Sequence, residues 1–289
     1  MTDSFVEILA ARASTTPQRI AYRFLIDGEV EGAALTFADL DRRARDLATI
    51  LVERGATGQR VPIVVPPGEQ NVVAFFGCLY AGAVAVPVPP PRRTNAFERL
   101  RNVCERTQAS MILADADTQA RAARIGEWAA TDRLSWLDVS AVDRSRAGAG
   151  FVPRMPSPDD TAFIQFTSGS TGHPKGVQIS HGNLIANAQR LRTFFSDDEQ
   201  TVGVSWLPPF HDMGLIGGIL QPVFLGAQTI VMPPTSFIQR PLRWLEAIAK
   251  YRATTSGGPD FAYTLCAEAA SAASVDLDLS SWTLAFSGA

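Results

Sequence analysis

The sequence predicts an α/β protein made of two successive, mostly parallel sheets flanked by helices. Three observations carry this. Short apolar strands alternate with helical stretches of roughly ten to fifteen residues. The alternation breaks once, in a segment rich in Gly, Pro, Ser and charge, and then resumes. Strand–helix–strand units of this kind pack as right-handed crossovers on a parallel sheet. The break at 141–160, "AVDRSRAGAGFVPRMPSPDD", has no hydrophobic period and reads as a linker. It predicts a first α/β sub-domain over residues 1–150 and a second over 151–289.

Within the first part, Leu40, Ala44, Leu47 and Leu51 follow a 4,3,4 spacing, with Thr36 and Asp39 placed as a capping box and Gly55 as a stop. That predicts an amphipathic helix over 36–54. Strand-like "RVPIVVPP", "VAVPV", "MILA" and "LSWLDV" then alternate with helices near 71–81, 97–107 and 118–130. In the second part "TAFIQFT", "GVQIS", "TVGVSWL", "AQTIVM", "ATTSG" and "TLAFSG" read as strands, with helices near 183–193, 212–225, 241–251 and 260–272.

Bulk properties limit the function. A chain of 289 residues, 46% hydrophobic and 19% charged, can bury a large core. The net charge of -3, without a run of like charges, argues against nucleic acid and against a polybasic membrane patch. Cys78, Cys104 and Cys266 lie far apart with no CxxC pair, which fits a reducing cytoplasm and neither a disulfide framework nor a zinc cluster. The N-terminal "MTDSFVEILAARAS" does not read as a signal peptide. The most apolar stretch, 72–91, is cut by Gly77, Gly82 and Pro87, so stable membrane insertion is not expected.

The most informative segment is "TSGSTGHPKGV" at 167–177. Gly169 and Gly172 let the backbone approach a ligand, Thr167, Ser168, Ser170 and Thr171 bring hydroxyls, and Lys175 brings a mobile positive charge. These groups suit phosphate oxygens. A Walker motif would need glycine where Pro174 stands and a hydroxyl where Gly176 stands. The loop joins two strands, and a helix begins only near 180–183, so hydroxyls, amides and lysine must supply the donors rather than a helix dipole. A solvated Ser/Thr/Gly turn is the plain alternative.

The phrase TSGSTGxPKG resembles the phosphate loop of the adenylate-forming superfamily, which includes acyl-CoA synthetases, peptide-synthetase adenylation domains and luciferases. "SWLPPFHDMGLIGGILQPVFLG" and "RPLRWLEAIAKYRATTSGGPDFAYTLC" extend the resemblance over essentially the whole chain and are similar to the fatty acyl-AMP ligase branch. The resemblance implies the incomplete N-terminal domain of such an enzyme. It implies ATP and Mg2+ as cofactors, ATP phosphates at Thr167–Gly172 and Lys175, and a catalytic role for Lys175 and for His211, which would stand beside the carboxylate and α-phosphate. Gly258 would border the nucleotide and acyl pockets, and Gly288 and Ala289 would begin an adenine-contacting phrase. Family members commonly have Asn where Asp260 stands.

Several residues near His211 admit two readings. Asp212 reads as the N-cap of the next helix. Gly214, Gly217 and Gly218 serve either close helix packing or, with Met213 and Ile216, a smooth wall for an alkyl chain. Trp206, Phe210 and Phe261 line the same tunnel or belong to the core.

The family's later motifs would lie beyond Ala289, so the C-terminal domain is expected to be absent and the chain to be an N-terminal fragment that binds nucleotide weakly at most. For the parent enzyme the resemblance implies ATP-dependent activation of a long-chain fatty acid, passed on to an acyl carrier protein or polyketide synthase carrier domain. The alternatives are a long-chain acyl-CoA ligase and a non-catalytic nucleotide- or acyl-binding module.

Overall fold

The computed structural model describes residues 4–124, 134–142, 150–167, 175–273 and 276–288. In chain order they form α1 (Phe5–Thr15), β1 (Ile20–Leu25), β2 (Glu31–Thr36), α2 (Phe37–Glu53), β3 (Arg60–Val64), α3 (Glu69–Tyr80), β4 (Val84–Pro87), α4 (Thr94–Thr107), β5 (Met111–Ala114), α5 (Ala116–Arg124) and β6 (Ser135–Asp138). The chain continues as β7 (Thr161–Thr167), β8 (Lys175–Ser180), α6 (His181–Phe195), β9 (Val202–Ser205), a π-helix (Met213–Leu220), α7 (Gln221–Leu225), β10 (Gln228–Val231), α8 (Pro234–Gln239), α9 (Leu242–Tyr251), β11 (Thr255–Gly258), α10 (Asp260–Ala273) and β12 (Leu284–Ser287). Two compact units result: one holds 1–10, 39–66 and 70–185, the other 11–38, 67–69 and 186–289.

The first unit carries a sheet of order β6-β5-β3-β4-β7-β8. All its pairings are parallel except β7 with β8, where Gln165 faces Val177. Continuous apolar runs suit strands covered on both faces; Met111–Ala114 is buried throughout. Val64, Val86, Ile112 and Ile164 pack with Leu100 and Phe97 of α4. The end of α2 follows the expectation for Gly55, which takes φ +74, while the Ala56 N–H donates to the Leu51 carbonyl. A Cβ on Gly77 would lie 2.7 Å from Leu47 Cδ2, so α3 packs against α2 too closely for a side chain there.

The second unit carries a sheet of order β12-β11-β9-β10-β1-β2. It is parallel except at the β1–β2 hairpin. Its core gathers Trp206, Ile230, Phe237, Trp244 and Ile248. The fully buried Trp244 donates its indole N–H to Ser256 Oγ at 2.8 Å.

The fold class is the one predicted, two mostly parallel sheets flanked by helices, but the division of the chain differs from a cut near residue 150. β7 and β8 join the first sheet beside β4, and β1 and β2 join the second beside β10. Of the segment read as a linker, residues 143–149 lie outside the described residues, and the part from 150 on is tied to the first unit: Arg45 donates to the Phe151 carbonyl at 2.8 Å and the Arg154 N–H to the Tyr80 carbonyl at 3.3 Å. The sequence pattern also passed over α1, β1, β2 and α8. The helix expected over 212–225 is a π-helix followed by α7, and of the helix expected over 118–130 only the part to Arg124 lies within the described residues. At the start of α2, the Phe37 and Ala38 N–H groups donate to the Arg19 and Pro17 carbonyls.

His181 opens α6 directly after β8 and is 3% exposed. Its N–H donates to the Asp160 carbonyl at 3.0 Å. Burial pushes its imidazole down to about 4 from the usual 6.5, against a smaller opposing pull from Asp160. Below pH 6.5 the unfolded chain therefore binds a proton that the folded chain refuses, and stability falls as pH drops towards 4. The expected loss from this group is up to about 3 kcal/mol. Urea unfolding at a series of pH values should show that slope, and His181→Phe should flatten it.

Candidate functional site

In the second unit, β9, β11 and β12 run parallel and end side by side, the place where open α/β sheets collect ligands. β9 leads into "WLPPFHDMG". The loop turns back on itself where the His211 N–H donates to the Pro208 carbonyl at 3.1 Å, and the Leu215 N–H then donates to the His211 carbonyl at 2.8 Å. Asp212 Oδ1 accepts from the Met213 N–H at 2.7 Å and caps the π-helix, the role expected from sequence. His211 is exposed beside the half-buried Phe210, with ring centroids 5.3 Å apart.

The three glycines after His211 separate by role. A Cβ on Gly214 would stand 2.2 Å from the Pro208 carbonyl oxygen, and one on Gly218 would stand 2.6 Å from Ser205 Oγ. Both positions are packing glycines. Gly217 faces open space, with nothing within 4 Å of its Cβ position. It lines a cleft of about 470 Å³, open mouth included, between the π-helix with α7 on one side and β9, β10 and β11 on the other.

That cleft is walled by Leu207, Met213, Pro222, Leu225 and Phe286 among others, and Asp197, Thr201, Ser205, Gln221 and Thr229 are among its polar members. Of the residues read as acyl-binding, Met213, Gly217 and the neighbouring Gly218 line it; Ile216 does not, and its carbonyl accepts the Gln221 N–H in an i→i−5 bond. Trp206 belongs to the core. It is 3% exposed and stacks on Phe237 at 3.9 Å between centroids, with Trp244 and Phe261 edge-on at 5.9 and 6.3 Å. Phe261 is 49% exposed. Gln221, Ser205, Thr229 and Phe286 were missed from sequence; Gln221 alone had a signal, as the one polar residue in "GLIGGILQPVFL".

Two glycine contacts bring the strand ends together. A Cβ on Gly258 would lie 2.9 Å from Trp206 Cζ2, and one on Gly288 would overlap the Met213 methyl at 2.2 Å. The Asp260 carboxylate, at the start of α10, accepts a hydrogen bond from the Ser287 hydroxyl. At the other end of the strands, Thr255 and Thr201 hydroxyls donate to Asp197 Oδ1 at 2.8 and 3.2 Å. Burial pushes the Asp197 carboxyl above its ordinary range, and these two hydrogen bonds partly oppose the rise.

In the first unit, Thr167 ends β7 opposite Lys175, the first residue of β8, and both are exposed. Beyond this pair, Gly176 packs under Ile164, whose Cγ2 would be 2.9 Å from an added Cβ. Ser168, Gly169, Ser170, Thr171 and Gly172 lie outside the described residues, as does Ala289. Among the described residues no group of three His, Cys, Asp or Glu side chains is placed to hold a metal ion, and no helix is long and apolar enough to cross a membrane.

Comparison with known proteins agrees with this architecture. The chain is 36% identical over 292 residues to the medium-chain-fatty-acid–acyl-carrier-protein ligase JamA of Moorena producens, covering 99% of this chain and 49% of that protein. It is 36% identical over 275 residues to the 4-hydroxyphenylalkanoate adenylyltransferase of Mycobacterium tuberculosis, covering 91% of this chain and 44% of the other. Its structure matches a fatty acyl-adenylate ligase from L. pneumophila, solved with acyl adenylate and pyrophosphate, at a TM-score of 0.91 and 38% identity over 99% of this chain and 50% of that one. The chain thus spans about half the length of the curated relatives it matches. The family model described as AMP-binding enzyme matches residues 9–289, and the chain belongs to that family.

Proposed function

We propose that the protein to which this chain belongs activates a fatty acid with ATP and passes the acyl group to the phosphopantetheine thiol of an acyl carrier protein. A carboxylate oxygen would bond to the α-phosphorus in line as the bond to the bridging oxygen breaks and pyrophosphate leaves. Both reactants are anions, so the protein's work is positioning and charge neutralisation. The observation that supports this reading best is the mostly apolar cleft beneath the π-helix, whose lining runs into the His211 loop at Met213.

Each unit contributes its own chemistry. In the first, Lys175 offers a solvent-accessible ammonium to the β- and γ-phosphates beside the hydroxyl of Thr167. In the second, Met213 and Gly217 wall the acyl tail, and the exposed imidazole of His211 meets the carboxylate end. Magnesium would accompany ATP and offset charge on its phosphates, and no residue is allotted to it here. A reducing cytoplasm suits the three buried free thiols, where burial raises Cys266 to about 11 and Cys104 to about 12.

Calorimetry of the purified chain with a non-hydrolysable decanoyl sulfamoyl-adenosine should show saturable binding; no binding would end the adenylate reading. In the intact protein, acyl transfer to holo-carrier protein outpacing transfer to coenzyme A would separate this activity from that of an acyl-CoA ligase.

Lys175→Met should weaken ATP and pyrophosphate by about 10- to 100-fold, the loss of one charge-assisted hydrogen bond, while leaving adenosine unaffected. Equal losses for adenosine and ATP would remove Lys175 from the phosphates.

Gly217→Leu should leave the melting temperature within a few degrees, since its side chain enters open space, yet cost decanoyl analogues at least about tenfold against acetyl ones. Gly214→Ala should instead unfold early, because its Cβ meets backbone at 2.2 Å.

A further inference from the structure

One side chain in the cleft has chemistry that a plain hydrocarbon leaves unused. Gln221 stands where the π-helix passes into α7 and is 5% exposed. Its amide nitrogen donates to the Ala188 carbonyl of α6 at 3.2 Å. That bond fixes which way the amide faces, since only the nitrogen can address a carbonyl. Oε1 is left buried with no hydrogen-bond partner among the described residues.

The surroundings of Gln221 carry more polarity than an alkyl slot requires. Thr229 and Ser205, 2% and 7% exposed, line the same cleft. Thr229 Oγ1 lies 3.0 Å from the Cβ position of Gly203 and Ser205 Oγ lies 2.6 Å from that of Gly218, so both hydroxyls face residues that also line it. Pro222, Leu225 and Leu207 are among the apolar members of the same wall. A buried acceptor left without a donor is costly, and a ligand that supplies the donor removes the penalty. A site of this kind disfavours the analogue that lacks the hydroxyl more strongly than a smooth pocket discriminates by size.

Resting on the reading of this cleft as the acyl slot, we propose that Gln221 is a specificity residue: its Oε1 accepts a hydrogen bond from a hydroxyl on the acyl tail, so the slot prefers a hydroxylated acyl group to the unsubstituted one of equal length. The hydroxyl belongs either to an aliphatic alcohol or to a phenol at the end of the tail. Both present an O–H to the same carbonyl.

The test uses non-hydrolysable acyl sulfamoyl-adenosines on the purified chain: a plain alkyl series, the same tails with a hydroxyl at successive carbons, a 4-hydroxyphenyl-terminated tail, and the methyl ether of the best hydroxylated compound. One position, alcohol or phenol, should bind about tenfold or more tightly than the unsubstituted tail. The methyl ether, which keeps the oxygen and loses the donor, should forfeit that preference. Gln221→Met should bring the ratio near one by weakening the hydroxylated tail more than the alkyl one. The ether comparison stands on the unaltered chain, so it decides the matter even where the variant fails to fold.

Uniform affinity across the hydroxyl series, a preference kept by the ether, or a preference that survives in a folded Gln221→Met chain would overturn the proposal while leaving the acyl slot intact. Binding of no analogue at all would remove the acyl slot itself, and this inference with it.

Discussion

The cleft depends on how closely the π-helix is pressed onto β9. Gly218 brings that helix to Ser205, and Gly214 brings its first turn to the Pro208 carbonyl, at separations where any Cβ would collide. Glycine inside a helix costs about 1 kcal/mol relative to alanine. The two packing glycines recover that cost through contact. Gly217, between them, makes no such contact and leaves the volume open. One short phrase therefore both anchors the helix and hollows out the space beside it. The i→i−5 bond from the Gln221 N–H to the Ile216 carbonyl belongs to the same arrangement, and π-turns of this sort concentrate at functional positions.

A second close approach knits the ends of the strands. Gly258 lies under the edge of Trp206 and Gly288 under the methyl of Met213, so β9, β11 and β12 set one another's terminal geometry. Trp206 is held in turn by its stack on Phe237. Its role is to fix the loop that carries His211 rather than to line the cleft, which is how an aromatic flanked by apolar strands most often serves. Asp260 is occupied by the Ser287 hydroxyl. In the second unit its carboxylate thus ties α10 to β12.

How much was legible in the sequence follows from how local each cause is. The helix α2 was readable because its apolar positions and Gly55 lie within one segment. The β1–β2 hairpin was passed over although "IDGEVEG" contains a turn signal, because β2 is exposed along most of its length and shows no alternation. Sheet membership was not readable at all. Tyr22 pairs with Thr229 in parallel register, and no local pattern announces a partner about two hundred residues away. At the candidate site the phrase around His211 was visible, while residues 168–174 lie outside the described residues. The separation of Gly214 and Gly218 from Gly217 was not, since it depends on which face meets β9. Gln221 stood out only as the one polar residue of an apolar run, which did not tell which wall it would face.

The cleft is also uneven from end to end. Its lining runs along β9, from Met213 and Phe286 where the strand ends to Asp197 and Thr201 where it begins. Four residues of strand span on the order of 13 Å. A hydrocarbon laid along that wall would leave apolar surface partway and meet the Asp197 carboxyl, held by Thr255 and Thr201. Burial already keeps that carboxyl above its ordinary value, so the far end of the cleft is polar. Strand geometry therefore bounds the length of the cleft, and Gln221 and Asp197 place polar groups along it.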